Sequence, residues 1–225
     1  MMRKPPWCCA LSVLATLVVL AAVASCSGGG RRAPATPADT PAPEVTPAAS
    51  VTQSLFESGR YREVLNRETA DAVSAEAIWF VANSHLRLGE IDEARREFAR
   101  LPTVDPGPSW RVVADLALAL LANEPEALDR ARMDAVPFPD DPFVQFGLGL
   151  AHANRSDFAG AAEAFDRCVQ ANPRFAYAYY NAGLAYDRVN RSDLMAIRLE
   201  MFQRLAPAAP EQPEVETILR TVRGR

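Results

Sequence analysis

A 34-residue period between Phe143 and Pro207 restricts what this chain can fold into more than any other feature. Gly149 and Gly183 lie 34 residues apart (183 − 149), and so do Pro173 and Pro207 (207 − 173). The first copy reads Leu148-Gly149-x-x-His152, then Ala161-x-x-x-Phe165, then Pro173. The second reads Ala182-Gly183-x-x-Tyr186, then Met195-x-x-x-Leu199, then Pro207. A period of this length holds two helices and a turn, a unit too small to bury its own apolar face, so that copies must stack into a continuous core. Gly149 lets the paired helices approach, and Phe165 fills the space from the second helix. Pro173 stops that helix because it lacks an N–H and disfavours helix in the residue before it.

The small-residue pair, the aromatic or histidine three positions later and the closing proline resemble the tetratricopeptide repeat family. His152 stands where that family usually has tyrosine, and Cys168 where it has a small alanine. The resemblance implies an all-α fold: a right-handed helix-pair solenoid of about four to five tetratricopeptide-like repeats with a C-terminal capping helix. Earlier units keep the phase less well. Leu55, Gly59, Tyr61 and Val64 form a degenerate first unit. In the second, Ser74 is an N-cap, Val81-Ala82-x-x-His85 the first helix, Gly89 the left-handed turn, and Ala94-x-x-x-Phe98 the second helix before Pro106. The third keeps Ala114, Leu118, Ala127 and Pro139 in phase but places Asp115 in the small slot. Asp141-Pro142 starts the fourth as cap and first-turn proline. Asn154-Arg155-Ser156-Asp157 recurs as Asn190-Arg191-Ser192-Asp193 at a spacing of 36 (190 − 154), which leaves the register of the last second helix open by two residues. After Pro213, Val215, Ile218, Leu219 and Val222 form an i, i+3, i+4, i+7 stripe, as a capping helix requires.

The beginning of the chain has a different logic. Arg3 and Lys4 precede a nearly all-apolar run from Cys8 to Ala24, the pattern of a secretory signal peptide over residues 1–25; an uncleaved anchor is the alternative. Val23-Ala24-Ser25-Cys26 resembles the bacterial lipobox, which implies lipidation of Cys26 and attachment to a membrane facing the periplasm or exterior, with Ser27 compatible with an outer membrane. Residues 26–50 carry Gly28-Gly29-Gly30 and prolines at 34, 37, 41, 43 and 47 without an apolar period. They read as a disordered spacer, with a reach of roughly 60–70 Å at ~3.1 Å per residue. Residues 51–225 are then the repeat domain.

Charge and composition exclude several functions. The chain has 24 basic and 28 acidic residues. Removal of residues 1–25 takes only Arg3 and Lys4, leaving 22 against 28, a net −6. This acidic surface argues against nucleic acid, which needs a basic stripe. With Cys26 acylated, Cys168 has no partner for a disulfide and reads as a buried apolar group. His85 and His152 share one repeat slot two units apart, roughly 20 Å at ~8–10 Å between stacked helices. They cannot share a metal ion, and each reads as a packed replacement for tyrosine. No cofactor, metal site or catalytic group is expected.

The second face of the first helices is the candidate binding surface. Trp79 and Asn83 lie on it in the second unit. Phe143, Phe146 and Leu150 lie on it in the fourth, and Tyr177, Tyr180 and Leu184 in the fifth. In the family resembled, these slots line a concave groove that holds peptides. Two readings stand: a groove for an extended or helical apolar segment, or aromatic packing between repeats. The family's lysine-and-asparagine clamp for acidic tails is absent. The chain therefore reads as an exported, membrane-anchored lipoprotein that acts without catalysis as a scaffold for a protein or peptide partner in the cell envelope. The alternatives are an envelope enzyme such as a cell-wall hydrolase or protease, and a self-associating structural lipoprotein whose aromatic face closes a homodimer.

Overall fold

The computed structural model describes residues 51–67 and 74–224; the lipobox, Cys26 and the spacer lie outside them. Among the described residues the secondary structure is helix, in eleven segments and without a strand. They are α1 (Val51–Glu57), α2 (Tyr61–Arg67), α3 (Ala75–Leu88), α4 (Ile91–Val104), α5 (Pro108–Ala122), α6 (Pro125–Asp134), α7 (Pro142–Asn154), α8 (Phe158–Ala171), α9 (Ala176–Arg188), α10 (Ser192–Leu205) and α11 (Gln212–Arg223). Pairs α1/α2, α3/α4, α5/α6, α7/α8 and α9/α10 pack internally, and each pair packs on the next. The result is an all-α repeat solenoid of five units closed by α11, which lies on α10. No described helix is long and apolar enough to cross a membrane.

Local chemistry sets the helix ends. The Ser74 hydroxyl accepts from the Ala77 N–H. The Asp141 carboxylate accepts from Phe143 and Val144, with Pro142 at the first helical turn. Asp157 accepts from Gly160. Each bond satisfies an amide that has no partner inside its helix. Helices α4, α8 and α10 stop two residues before Pro106, Pro173 and Pro207, whereas α6 stops five before Pro139.

The turn inside each unit carries one residue with left-handed backbone: Gly59, Gly89, Asn123, Ser156 and Asn190, with φ of 74°, 81°, 55°, 61° and 60°. The last four are spaced 34 (123 − 89), 33 (156 − 123) and 34 (190 − 156). This fixes the register that the sequence left open. Asn190 corresponds to Ser156, and α10 begins 34 residues after α8 (192 − 158). The recurring tetrapeptide is out of phase: Asp157 caps α8 from outside, whereas Asp193 lies within the first turn of α10.

The core has the layout that the glycine spacing predicts. A Cβ on Gly149 would stand 2.5 Å from the Phe165 ring, and one on Gly183 would stand 2.7 Å from Leu199. Ala161, Phe165, Cys168, Met195 and Leu199 are all buried. The capping helix buries Val215 and Leu219 and leaves Arg220 and Arg223 exposed.

Candidate functional site

The eight residues of the predicted groove separate into two sets. Trp79, Phe146, Tyr177 and Tyr180 are 4%, 6%, 3% and 0% exposed. Asn83, Phe143, Leu150 and Leu184 are half-buried. The solenoid coils tightly enough that its inner face meets itself. Trp79 on α3 lies 5.3 Å from Phe143 and 5.5 Å from Phe146, both on α7, and 5.4 Å from Phe175, just before α9. Phe146 and Phe175 stack at 4.9 Å with ring planes 14° apart. Trp110 of α5 joins through Phe143 at 4.9 Å. Tyr177 and Tyr180 pack on Phe202 of α10 at 5.6 and 5.1 Å. Offset and edge-on ring pairs each add ~0.5–1.5 kcal/mol beyond burial, so this cluster is a second core. The first helices are apolar on two faces because both are covered.

Asn83 turns its amide back onto the Trp79 carbonyl at 2.8 Å. Leu150 and Leu184 are what this face offers at its margin. Phe175 was not legible as part of the site. It stands 34 residues after Asp141 (175 − 141), in a helix-cap slot, and the only signal was an aromatic where a cap residue belongs. Phe56 of α1 was missed too. It lies 5.4 Å from Phe80, 6.4 Å from Trp79 and 5.3 Å from Tyr177, joining the first unit to the fifth.

A polar seam borders the cluster. Arg87, at the end of α3, pairs with Glu211 at 2.7 Å and lies over the Tyr177 ring at 4.9 Å. The Tyr177 hydroxyl donates to Glu211 at 2.9 Å, and that of Tyr180 to Glu214 at 3.5 Å. Burial raises both phenols well above the usual tyrosine range, so both are hydrogen-bond donors at any physiological pH. Burial also raises the Glu57 carboxyl, to about 7, against the opposing pull of Gln53, the Ala176 N–H and Arg174.

The remaining ionisable clusters hold helices together. His85 reaches Glu90, and His152 reaches Asp157, each at 2.7 Å. Each pair ties the end of a first helix to the start of its partner; the signal in the sequence was an acidic residue five positions after the histidine. Arg198 makes a two-bond fork onto Asp166 at 2.8 Å, and Tyr186 donates to the same carboxylate at 2.7 Å. Three helices, α8, α9 and α10, meet at that point. Cys168 is fully buried, and burial holds its thiol well above the ordinary range. Among the described residues no group of three or more metal-ligating side chains converges. A cleft of about 790 Å³ opens between α4, α5 and α6, lined in part by Arg95, Asp115, Leu118, Ala127 and Ala131.

No protein-family profile matches the chain, and no curated protein does either. Solved structures show distant likeness. MamA from Desulfovibrio magneticus RS-1 is 15% identical, with 70% of this chain and 92% of that chain covered and a TM-score of 0.42. MamA AMB-1 is 17% identical, with 73% and 92% covered and a TM-score of 0.41. YrrB, described as a TPR protein with an unusual peptide-binding site, is 17% identical, with 77% and 86% covered and a TM-score of 0.42. At these values the functional argument rests on the chain's own residues.

Proposed function

We propose that this chain is an exported, lipid-anchored scaffold that binds a protein partner on the inner face of its solenoid and performs no catalysis. One observation carries the binding part: the inner face already holds a helix. The seven residues of α1 lie on it, with Phe56 seated among Trp79, Phe80 and Tyr177. A surface with an aromatic seat and a hydrogen-bonding rim has the chemistry that takes an amphipathic helix. The anchor rests on Val23-Ala24-Ser25-Cys26 and the apolar run before it, and the spacer supplies reach.

Two measurements test this reading. Mass spectrometry of the mature protein should find an acylated Cys26 at its N-terminus; an intact Met1, or a free Cys26, rejects the anchor. For binding, a photo-crosslinking residue is placed at Leu184, on the margin of the inner face, and separately at exposed Ile197 on α10. In native membranes the Leu184 probe should capture a defined partner band that the Ile197 probe does not. Identical capture from both positions overturns the inner-face assignment.

A further inference from the structure

In a solenoid each unit normally touches only its neighbours. Here α1 breaks that rule. Its buried residues, Gln53, Phe56 and Glu57, share one face of a single helical turn pair. Phe56 packs on α2 through Tyr61 (5.5 Å), on α3 through Trp79 and Phe80, and on α9 through Tyr177. The Gln53 amide donates to the Arg174 carbonyl at 3.3 Å, across 121 residues of chain. The Glu57 carboxyl group accepts the Gln53 amide at 2.9 Å and lies near enough to Ala176 and Arg174, at the start of α9, to feel both. Beyond α1, Gly59 lies so close to Pro210 that a Cβ there would stand 2.6 Å from the proline ring.

We propose that α1 is a latch that ties the first unit to the fifth across the inner face, and that it holds while Glu57 carries a proton and loosens when Glu57 ionises. A seven-residue helix has no stability of its own in water, so α1 stays formed only while docked. Its docked face includes a carboxyl group that is 9% exposed. Around that carboxyl, α1 supplies Gln53, and the start of α9 supplies the Ala176 N–H and the Arg174 charge. From α2 and α3 the neighbours of Phe56 are the uncharged Tyr61, Trp79 and Phe80. Arg87 is committed to Glu211. The donors favour the carboxylate, but desolvation outweighs them, and the docked group titrates at about 7. The sign follows. The docked state binds the proton more tightly than the open state, so the hold is complete below the open-state value of 4.5 and is lost as pH rises through about 7.

Release of α1 withdraws Phe56 and uncovers Trp79, Phe80 and Tyr177, the aromatic seat that it filled. The use of that seat by a partner rests on the binding reading above; the latch does not. Hydrogen exchange read by mass spectrometry on the full-length chain in detergent micelles tests the latch without a partner. Rates are corrected for the intrinsic pH effect and referred to α8. Between pH 5.5 and pH 8 the protection of residues 51–57 should fall by about 30-fold, the difference that linkage gives for a group moving from 4.5 to 7. Glu57→Gln keeps the amide-sized group and should hold α1 docked equally at both pH values. Phe56→Ala should leave α1 unprotected at both, with α8 unchanged. Equal protection of wild-type α1 at both pH values overturns the proposal, and so does a pH dependence that survives Glu57→Gln. Failure of the crosslinking experiment together with a pH-dependent α1 would remove the partner and leave the latch.

Discussion

The third and fourth units follow one template and reach different results. In the fourth, Gly149 on α7 faces Phe165 on α8, with ring carbons 2.5–2.7 Å from where a Cβ would stand. In the third, the corresponding residues are Asp115 (149 − 34) and Ala131 (165 − 34). A charged group has replaced the one that permits contact, and a methyl has replaced the ring that fills it. The space the phenyl ring would take stays open, as the cleft that both Asp115 and Ala131 line. Helix α6 is accordingly shorter, ten residues against fourteen for α8, and it leaves Met133 in its last turn and Val136 beyond it 72% and 70% exposed. The clamps between units differ in the same direction. Asp166 of the fourth unit receives a two-bond fork from Arg198, whereas Arg132 of the third reaches His152 at 3.3 Å with a buried Nε that has no partner. One glycine–aromatic pair therefore sets how tightly a unit closes, and a repeat can lose that pair and keep its phase.

The comparison breaks most sharply at Phe165. Phe165→Ala should cost ~3–5 kcal/mol, as expected for a large core truncation whose cavity cannot collapse, and thermal unfolding should show it directly. Its counterpart Ala131 already carries the small residue. A loss at Phe165 below ~1 kcal/mol would mean that the fourth unit is no better packed than the third. Gly149→Leu comes next. It drives a side chain into the Phe165 ring, for ~1–3 kcal/mol of overpacking. Asp115→Leu, at the same slot, should have the opposite sign. It lays apolar surface over the cleft and removes a carboxyl that burial pushes above its usual range, chiefly by desolvation, against the pull of Arg111. Equal losses for Gly149→Leu and Asp115→Leu, by denaturant titration, would erase the difference between the units.

Much of this architecture was legible because its causes are local. The caps at Ser74 and Asp141, the left-handed Gly89 and the stops before Pro106, Pro173 and Pro207 each depend on a few adjacent residues. The contact of Gly149 with Phe165 followed from spacing alone. What resisted reading was non-local. Nothing near Phe56 in sequence announces Tyr177, and Phe175 occupies a slot whose usual occupant is polar. The Asn-Arg-Ser-Asp tetrapeptide pointed to a 36-residue spacing, while the backbone keeps 34, because the turn needs one left-handed residue and Ser156 and Asn190 supply it. The second aromatic face was visible as a pattern. Its role depends on how tightly the solenoid coils, which is a property of all five units together; Trp79 meets Phe146 across two of them.

That turn residue supplies the smallest of the tests. Ser156 holds φ at 61° and Asn123, its counterpart in the third unit, holds 55°. Left-handed backbone costs an ordinary L-residue ~1–2 kcal/mol, while asparagine adopts it more readily through local hydrogen bonding. Glycine removes the strain but returns ~0.5–1 kcal/mol as entropy of the unfolded chain. The difference leaves Ser156→Gly a gain of about 0.5 kcal/mol, and Asn123→Gly close to zero. The better-packed fourth unit therefore carries the worse turn. Its packing contributes several times the strain, which is why a serine is tolerated there. Melting temperatures of the two variants, measured side by side, decide the point. A gain at Asn123 equal to or larger than that at Ser156 would mean that the turns are equally strained, and that packing alone separates the two units.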